Sequence, residues 1–507
     1  MEKSKGNALL SHDPEWTEFR HWALCFVVCN FNVDVGPEIE LVYPETALSS
    51  GDLSAITFNS FPERQDTEPA EDLNFHFNIR NNSPDIPLHS PNQPHGSADT
   101  LFGSCVFRQE FDTMTKRSYN QKSLVLISNY DFPAFYSRIL NIITDMGLIS
   151  DPSRLEAVCS EMKTWSPPAI GQQSLPLLGY LLSLEIPPHP SFPLQGLMSE
   201  PIPGTSSLPF FAYEPVGAWE NLLPHMSSIT ELYVTFEKLV LCEPVIVLSK
   251  SPQRSSELVS CLIDLLRPIP YAGPYKPYLT MQSEFFASSQ ENGLPKHFIV
   301  GITNPFLLKR IMSMSTTKGN ESTPHIIYLS NGPQKTPLKQ NHSRHGRRHS
   351  IDLDIPGGID PQVPTKRYLK SDHTFLNTLD LSLKNPKSGI APIGHAVRRH
   401  FAELSAQILA PLNRFLATNM SSSVPITPGG NPGYANFSEA SFLQSLSKYG
   451  VAVKFRGQTP LQRHKARDTF YEKFCRSPNF YSWLEMKVTL EREASAGLLG
   501  RDAPDKS

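Results

Sequence analysis

The chain has 507 residues, with 46 Lys and Arg against 49 Asp and Glu and a formal net charge of −3. Its length excludes one small domain, and its charge balance excludes a global basic field of the kind that gathers nucleic acid. Proline is the outlier, 46 residues or about 9 % where roughly 5 % is ordinary, while only 19 % of residues are charged. That combination describes folded segments separated by Pro-, Ser-, Asn- and Gly-rich connectors, because proline is poorly tolerated inside helices and central strands. The seven cysteines, at 25, 29, 105, 159, 242, 261 and 475, are scattered, mostly within apolar runs, and form no CxxC pair and no Cys/His cluster at zinc spacing. They read as reduced, buried thiols, with no disulfide framework and no metal. Met1 to Glu18 carries no apolar leader core, and no run approaches the roughly 18 apolar residues of a membrane span. The expected location is cytoplasmic, with membrane contact only through a partner.

Ordered structure is expected from Trp22 onward. Ala23 to Cys29 is a short apolar run rich in β-formers, and Glu38 to Pro44 alternates polar and apolar; Asn32, Asp34, Gly36 and Pro37 between them supply turn chemistry, so the pair reads as a β-hairpin. Cys25 and Cys29 read as small buried hydrophobes. Further strands are predicted at Leu73–Ile79, Phe102–Phe111 and Ser123–Ser128. From Asp131 to Met146, Phe132, Phe135, Ile139, Ile142, Ile143 and Met146 recur at helical spacing, and a second helix is expected over Pro152–Thr164. The first domain is therefore a mostly antiparallel sheet finished by helices.

The second region alternates strand and helix, the signature of a parallel core. A strand is predicted at Leu178–Ile186, a helix at Ile229–Cys242, a buried strand at Pro244–Leu248 and a helix at Ser255–Leu266. Strands follow at Tyr278–Met281, His297–Ile302 and His325–Leu329, with a helix over Asn304–Met314. From Ile393 the pattern is helical, and Pro411 is expected to kink or break it. Shorter helices are predicted at Ser438–Lys448, Leu461–Arg476 and Asn479–Arg492. Residues 80–99, 187–208, 331–365 and 418–436 lack periodicity and read as loops or disordered insertions.

The nucleophile elbow, the P-loop, the zincin HExxH, paired Rossmann glycines and the kinase signatures are all missing. What remains are charged clusters and turns. Arg347-Arg348-His349-Ser350 offers a basophilic kinase a target hydroxyl at Ser350, or is simply a solvated loop. Arg398-Arg399-His400 reads as a solvated helix face, or else a partner contact. Two turns at strand ends stand where α/β folds place binding surfaces: Gly301 to Phe306, and Asn30 to Pro37. Each also has a purely structural reading, as a helix cap and as turn chemistry respectively.

Several words then occur in one order. Asp34-Val35-Gly36-Pro37-Glu38-Ile39-Glu40-Leu41-Val42-Tyr43-Pro44 resembles the opening of the upstream module of DENN-domain proteins, and Phe58-Asn59-Ser60-Phe61-Pro62 and Arg117 to Ser128 resemble its next elements. Cys242-Glu243-Pro244, Ser255-Ser256-Glu257, Lys276 to Thr280, Gly301-Ile302-Thr303-Asn304-Pro305-Phe306, Arg398 to Phe401 and Arg476 to Trp483 match a single subfamily. The chain is identified as a member of DENN subfamily six from about residue 22 to 490. Cys242 stands where a Gly is usual, Gln121 follows Asn120 rather than an aromatic, and insertions longer than in animal relatives point to a fungal or other non-animal member.

The resemblance implies an α/β protein: an N-terminal longin-like domain, an antiparallel sheet with helices, plus an α/β DENN domain with a C-terminal helical extension. It divides the chain into a flexible N-terminus (1–20), the longin-like upstream module (21–166), a Pro-rich linker with the first strand of the second lobe (167–208), the α/β core module (209–330), a disordered basic insertion (331–365), a helical downstream module (366–495) and a tail (496–507). It also implies guanine-nucleotide exchange on a Rab GTPase, GDP-bound or nucleotide-free, at endosomes or recycling vesicles, with no cofactor, no metal and no nucleic acid. In that family the GTPase docks across both lobes, so Asn30, Asn32 and Asp34 in one lobe and Thr303, Asn304 and Pro305 in the other are the candidate contacts. A GTPase activator of the same fold, which would need an arginine finger, or a non-catalytic adaptor are the alternatives.

Overall fold

The computed structural model describes residues 14–46, 48–63, 72–83, 99–111, 119–147, 149, 152–191, 209–286, 294–317, 323–330, 366–385, 392–420 and 437–501. The expected loops at 80–99, 187–208 and 418–436 fall mostly outside these residues. The insertion 331–365, Ser350 included, falls wholly outside.

The N-terminus is folded earlier than its composition predicts. Residues 14–20, expected to be flexible, end in α1 (Thr17–Arg20), with Phe19 fully buried and the Trp16 ring 5.5 Å from that of Tyr43. Two large aromatic side chains tie the segment down. Next come β1 (Cys25–Asn32), β2 (Gly36–Tyr43), β3 (Leu73–Arg80), β4 (Thr100–Phe111) and β5 (Tyr119–Ser128), an antiparallel sheet in the order β2-β1-β5-β4-β3. The period of two sends Phe26, Val28, Leu124 and Leu126 to one face and Cys25, Val27, Cys29, Val125 and Ile127 to the other. Both faces are covered. On the second lies α2 (Ser50–Asn59), absent from the sequence reading because its sequence has no apolar stripe; its start is fixed by Ser49, whose Oγ accepts from the Asp52 N–H at 3.0 Å. On the first lie α3 (Pro133–Asp145) and α4 (Leu155–Met162). All seven cysteines are buried free thiols, and burial raises Cys29 to about 11 and Cys25 to about 12.

The strand predicted at 178–186 is the second arm of a hairpin, β6 (Gly171–Leu177) and β7 (Tyr180–Ile186). Its turn places Leu178 and Gly179 at φ 51° and 82°, the positive-φ pair of a tight hairpin, and the Leu178 N–H is held by the Glu161 carboxylate at 2.7 Å. The strand is expected as the first of the second lobe, but Leu175, Leu177, Leu182, Leu184 and Ile186 of the hairpin share the core of α3 and α4. Its alternation is weak in the first arm, where Gln172, Gln173, Ser174 and Pro176 hide the strand. β8 (Pro209–Phe211) pairs parallel to β7.

In the second lobe, α5 (Trp219–Leu222), α6 (Glu231–Val240), β9 (Val245–Leu248), α7 (Pro252–Asp264), β10 (Tyr275–Lys276), β11 (Ile299–Ile302), α8 (Pro305–Thr317) and β12 (His325–Tyr328) build a parallel sheet ordered β10-β11-β9-β12. The strand expected at Tyr278–Met281 lies at Tyr275–Lys276 instead, because Pro277 has no N–H to continue the ladder. One sheet face buries Val245, Val247, Ile299 and Ile327 against α6 and α7; the other buries Ile246, Leu248, Val300 and Ile302 against Leu307, Leu308 and Ile311 of α8.

The first of these faces is also the core of the C-terminal helices, α9 (His373–Lys384), α10 (Ile393–Met420), α11 (Glu439–Tyr449), α12 (Pro460–Cys475) and α13 (Pro478–Arg501). Helix α9 was not anticipated, although Asp372 caps it by accepting from the Thr374 and Phe375 N–H groups. Helix α10 runs through Pro411 without a break. Proline orphans the carbonyl four residues back, that of the exposed Gln407, while the next carbonyl, of Ile408, accepts from Tyr471 Oη at 3.1 Å. The cluster Arg398-Arg399-His400 is not one solvated face. Only Arg399 is exposed, paired with Glu403; Arg398 pairs with buried Asp264 at 3.1 Å, and His400 stacks on Phe375 at 3.7 Å and bonds Tyr233 Oη at 2.5 Å.

Two departures or matches in the family words have local explanations. Cys242 has φ 54° and closes α6 in a Schellman arrangement, its N–H donating to Leu239 O and that of Glu243 to Lys238 O, so the Gly usual there is the residue this backbone favours. Gly301 lies where a Cβ would run into the Pro277 carbonyl oxygen and Ser255 Oγ. Gly301→Ala is therefore expected to lower stability on the order of 2 to 3 kcal/mol, read by urea denaturation. Gly51→Ala, with only Ser49 Oγ at 3.7 Å, is expected to stay near wild type.

Candidate functional site at the seam between the lobes

The segment after β10 leaves its own lobe and enters the other. Tyr278, 1 % exposed, packs in the core under the first sheet, its ring 5.3 Å from that of Phe75. Its hydroxyl accepts from the Glu63 N–H at 2.9 Å and donates to the Phe61 carbonyl at 3.3 Å. The Glu63 carboxylate in turn accepts from the Met281 N–H at 2.6 Å, and Thr280 Oγ1 donates to Asn59 Oδ1 at 3.3 Å. Further along, Lys276 Nζ donates to the Asn78 carbonyl at 2.9 Å and to Glu284 at 2.8 Å, and Asn78 Nδ2 donates to the Tyr275 carbonyl. Truncating a plug such as Tyr278 costs on the order of 3 to 5 kcal/mol.

Of the sequence-predicted residues, Asn304 lies at this seam, beside Glu63, and the first-lobe set lies on the β1–β2 turn. Asn32 Oδ1 accepts from the Asp34 N–H at 2.9 Å and its Nδ2 donates to Glu38 at 3.1 Å, which fixes the β1–β2 turn; Asp34 is exposed, and Asn30 is half-buried on β1. That turn reaches the seam through Phe31, whose ring lies 5.8 Å from Phe61. On the other side, Thr303 is fully buried and so presents nothing to a partner. Asn304 caps α8, its Oδ1 accepting from the Phe306 N–H at 3.0 Å, and Pro305 is the first helical residue. Burial raises the Glu63 carboxyl above its ordinary value, opposed by the Met281 N–H and by the Asn304 side chain beside it. Asn304 therefore faces the seam from one lobe as Glu63 does from the other.

Sequence reasoning missed the apolar side chains left open around these turns. Phe306 is 71 % exposed and Val35 72 %, and Met281, Ile39 and Phe58 are also exposed. A signal exists for two of them: Phe306 falls outside the Leu307, Leu308, Ile311 stripe of α8, and Val35 occupies a turn that otherwise holds polar residues. Behind the seam lies a cavity of about 410 Å³ between His76 and Asp131 of the first lobe and Asp264, Arg267 and Tyr275 of the second. Arg267 is saturated by Asp264 and by the Tyr213 and Pro190 carbonyls, Tyr275 Oη donates to Asp131, and burial lowers His76 to about 4, leaving it neutral. Among the described residues no group of three or more His, Cys, Asp or Glu side chains is arranged to hold a metal.

No family model matches the chain. It is 28 % identical to protein DENND6B of Homo sapiens, over 96 % of this chain and 83 % of that protein. It is 28 % identical to protein DENND6A of Gallus gallus, over 93 % and 80 % of the two. These likenesses support a DENN-domain protein of subfamily six. The protein DENND6 homolog of Dictyostelium discoideum is 23 % identical over 78 % of this chain and 62 % of its own length. The DENN chain described here is accordingly mixed α/β, with an antiparallel N-terminal sheet of longin-like kind, a parallel sheet, and a C-terminal helical region.

The seam has a pH signature. Burial raises the Asp131 carboxyl from 3.8 to about 6, opposed by the Tyr275 hydroxyl and Arg267. Between those values the native state holds a proton that the unfolded chain has lost, so this group's contribution to stability falls as pH rises from about 4 to about 6. Asp131→Asn removes it. Relative to that variant, the wild type is expected to lose on the order of 2 to 3 kcal/mol between pH 4 and pH 7, read as the difference between their urea-denaturation free energies; parallel curves would contradict it.

Proposed function

We propose that this DENN-domain protein is a guanine-nucleotide exchange factor for a Rab-type GTPase, working in the cytoplasm and recruited peripherally to endosomes or recycling vesicles. The observation that carries the reading is that both candidate turns leave large apolar side chains open: Val35 and Ile39 at the β1–β2 turn of the first lobe, Met281 and Phe306 at the seam on the second. Exposed apolar groups concentrated beside a junction are what a protein partner buries first. The family resemblance supplies the identity of the partner and the endosomal setting.

Exchange needs differential affinity rather than a reacting group. A GTPase holds Mg²⁺ and the phosphates with its switch loops; a surface that binds the nucleotide-free arrangement better than the loaded one lowers the free energy of the open state and speeds release. A rigid two-lobe surface serves this purpose, because a surface that gave way to the loaded shape would bind both states alike and shift nothing. Tyr278 and the Glu63 bonds provide that rigidity across the seam.

Release of fluorescent GDP from a panel of Rab GTPases, with GTP hydrolysis followed in parallel, tests the proposal. Faster release by catalytic amounts of the chain is the expected result. Faster hydrolysis instead would make it a GTPase activator, and neither would make it an adaptor. Phe306→Asp and Val35→Asp, both at exposed positions, are each expected to slow release about tenfold or more while leaving the thermal midpoint at wild type.

A further inference from the structure

The chain as a whole is slightly acidic, yet one surface of the C-terminal helical region is strongly basic. Residues 366–371 and 448–465 together hold eight Lys and Arg and no Asp or Glu. The fold brings the two segments side by side. A β-bridge pairs Leu369 with Phe455, the Lys370 N–H donates to the Lys454 carbonyl at 2.9 Å, and the Arg456 N–H donates to the Tyr368 carbonyl at 2.7 Å. Alternation buries Val453 and Phe455 and turns Lys454 and Arg456 outward, while on the paired segment Tyr368 and Leu369 are buried and Lys366 and Lys370 exposed. The chain turns at Gly457, where φ is +149° and a Cβ would meet the Arg463 N at 2.8 Å. It then enters α12 through a Thr459–Gln462 capping box. The first turns of that helix present Arg463 and Lys465, both exposed.

The acids around this surface are already engaged. Asp372 caps α9, Asp468 pairs with Arg467, Glu439 and Glu472 pair with Arg476, and Glu243 is shared by Lys238 and Lys473. Arg367 is held beside Arg456, and after burial that like charge is the next cause lowering its pKa. Leu461, 78 % exposed, stands on the same side of α12 as Lys465 four residues on. It is the most exposed large apolar side chain among the described residues. Tyr449, 58 % exposed, lies between Arg414 and Lys448, 5.4 and 5.1 Å from their charges.

We propose that this surface docks the protein directly on an anionic phospholipid bilayer, the cations on the headgroups and Leu461 inserted among them. A projecting apolar side chain on a surface of cations suits an interface that is charged outside and apolar within. Among the described residues no helix is long and apolar enough to cross a membrane, so the contact is peripheral. This departs from the expectation that membrane contact comes only through a partner. It does not rest on the exchange reading.

The test is co-sedimentation of the full chain with vesicles of neutral phosphatidylcholine alone or with about a third phosphatidylserine, at about 0.1 M salt, where surface charge still acts over about 10 Å. Wild type is expected on the anionic vesicles only and to come off at about 0.5 M salt. The triple variant Lys454→Glu, Arg456→Glu, Lys465→Glu is expected to lose binding about tenfold or more, and Leu461→Asp to weaken it with all cations in place. Unchanged thermal midpoints confirm that both variants are folded. GDP release from a soluble GTPase without vesicles is expected to match wild type, so the two proposals fail in different assays. Equal binding to neutral vesicles, no binding at all, or charge-reversal variants that bind normally would overturn the inference. So would capture by soluble polyglutamate that is indifferent to Leu461→Asp, which would assign the surface to an acidic protein.

Discussion

Tyr278 is the joint on which the molecule turns. It belongs by chain to the parallel-sheet lobe and by packing to the antiparallel one, with its ring against Phe75 and its hydroxyl between Glu63 and Phe61. Pro277, immediately before it, ends the β10 ladder, and Gly301 on the neighbouring strand leaves the room its carbonyl needs. Tyr278 crosses from one core to the other, and the bonds of Tyr275, Lys276, Thr280 and Met281 beside it join two sheets of opposite kind. The turns that flank the seam inherit fixed positions from it.

This dependence explains what the family words do. Asn479 binds the ends of α6 and the 272 loop, its Nδ2 donating to the Leu239 carbonyl and its Oδ1 accepting from the Ala272 N–H. Glu243 gathers Lys238 and Lys473, Arg398 and His400 are folded inward, and Asn304 caps α8. Words that identify a family here are mostly bonds that hold the fold. Phe306 and Val35 sit inside two of those words as exposed apolar residues, 71 % and 72 % open, that hold nothing together.

Elements with a strong period or a compact apolar run were legible in the sequence: the β1–β2 hairpin, α3, the parallel strands and the long helix of Val397, Phe401 and Ile408. Those held by tertiary contacts were not. α2 has a cap but no stripe, the first arm of the β6–β7 hairpin alternates too weakly, and β10 is two residues long, ended by a proline whose effect is local. For the candidate site, turn chemistry singles out two turns, but burial decides which residues there can touch anything. Thr303 lies at 0 % exposure three residues before Phe306 at 71 %, Asn304 and Pro305 between them being half-buried, and no spacing rule separates them.

If the two lobes grip one GTPase, both turns must be covered in the same event. Hydrogen–deuterium exchange of the full chain, alone and with a nucleotide-free Rab GTPase, measures this most directly. The account predicts slowed exchange in residues 30–36 and in 303–308 together, rising in parallel with GTPase concentration. Protection confined to one lobe, or absent from both while the complex forms, would contradict it.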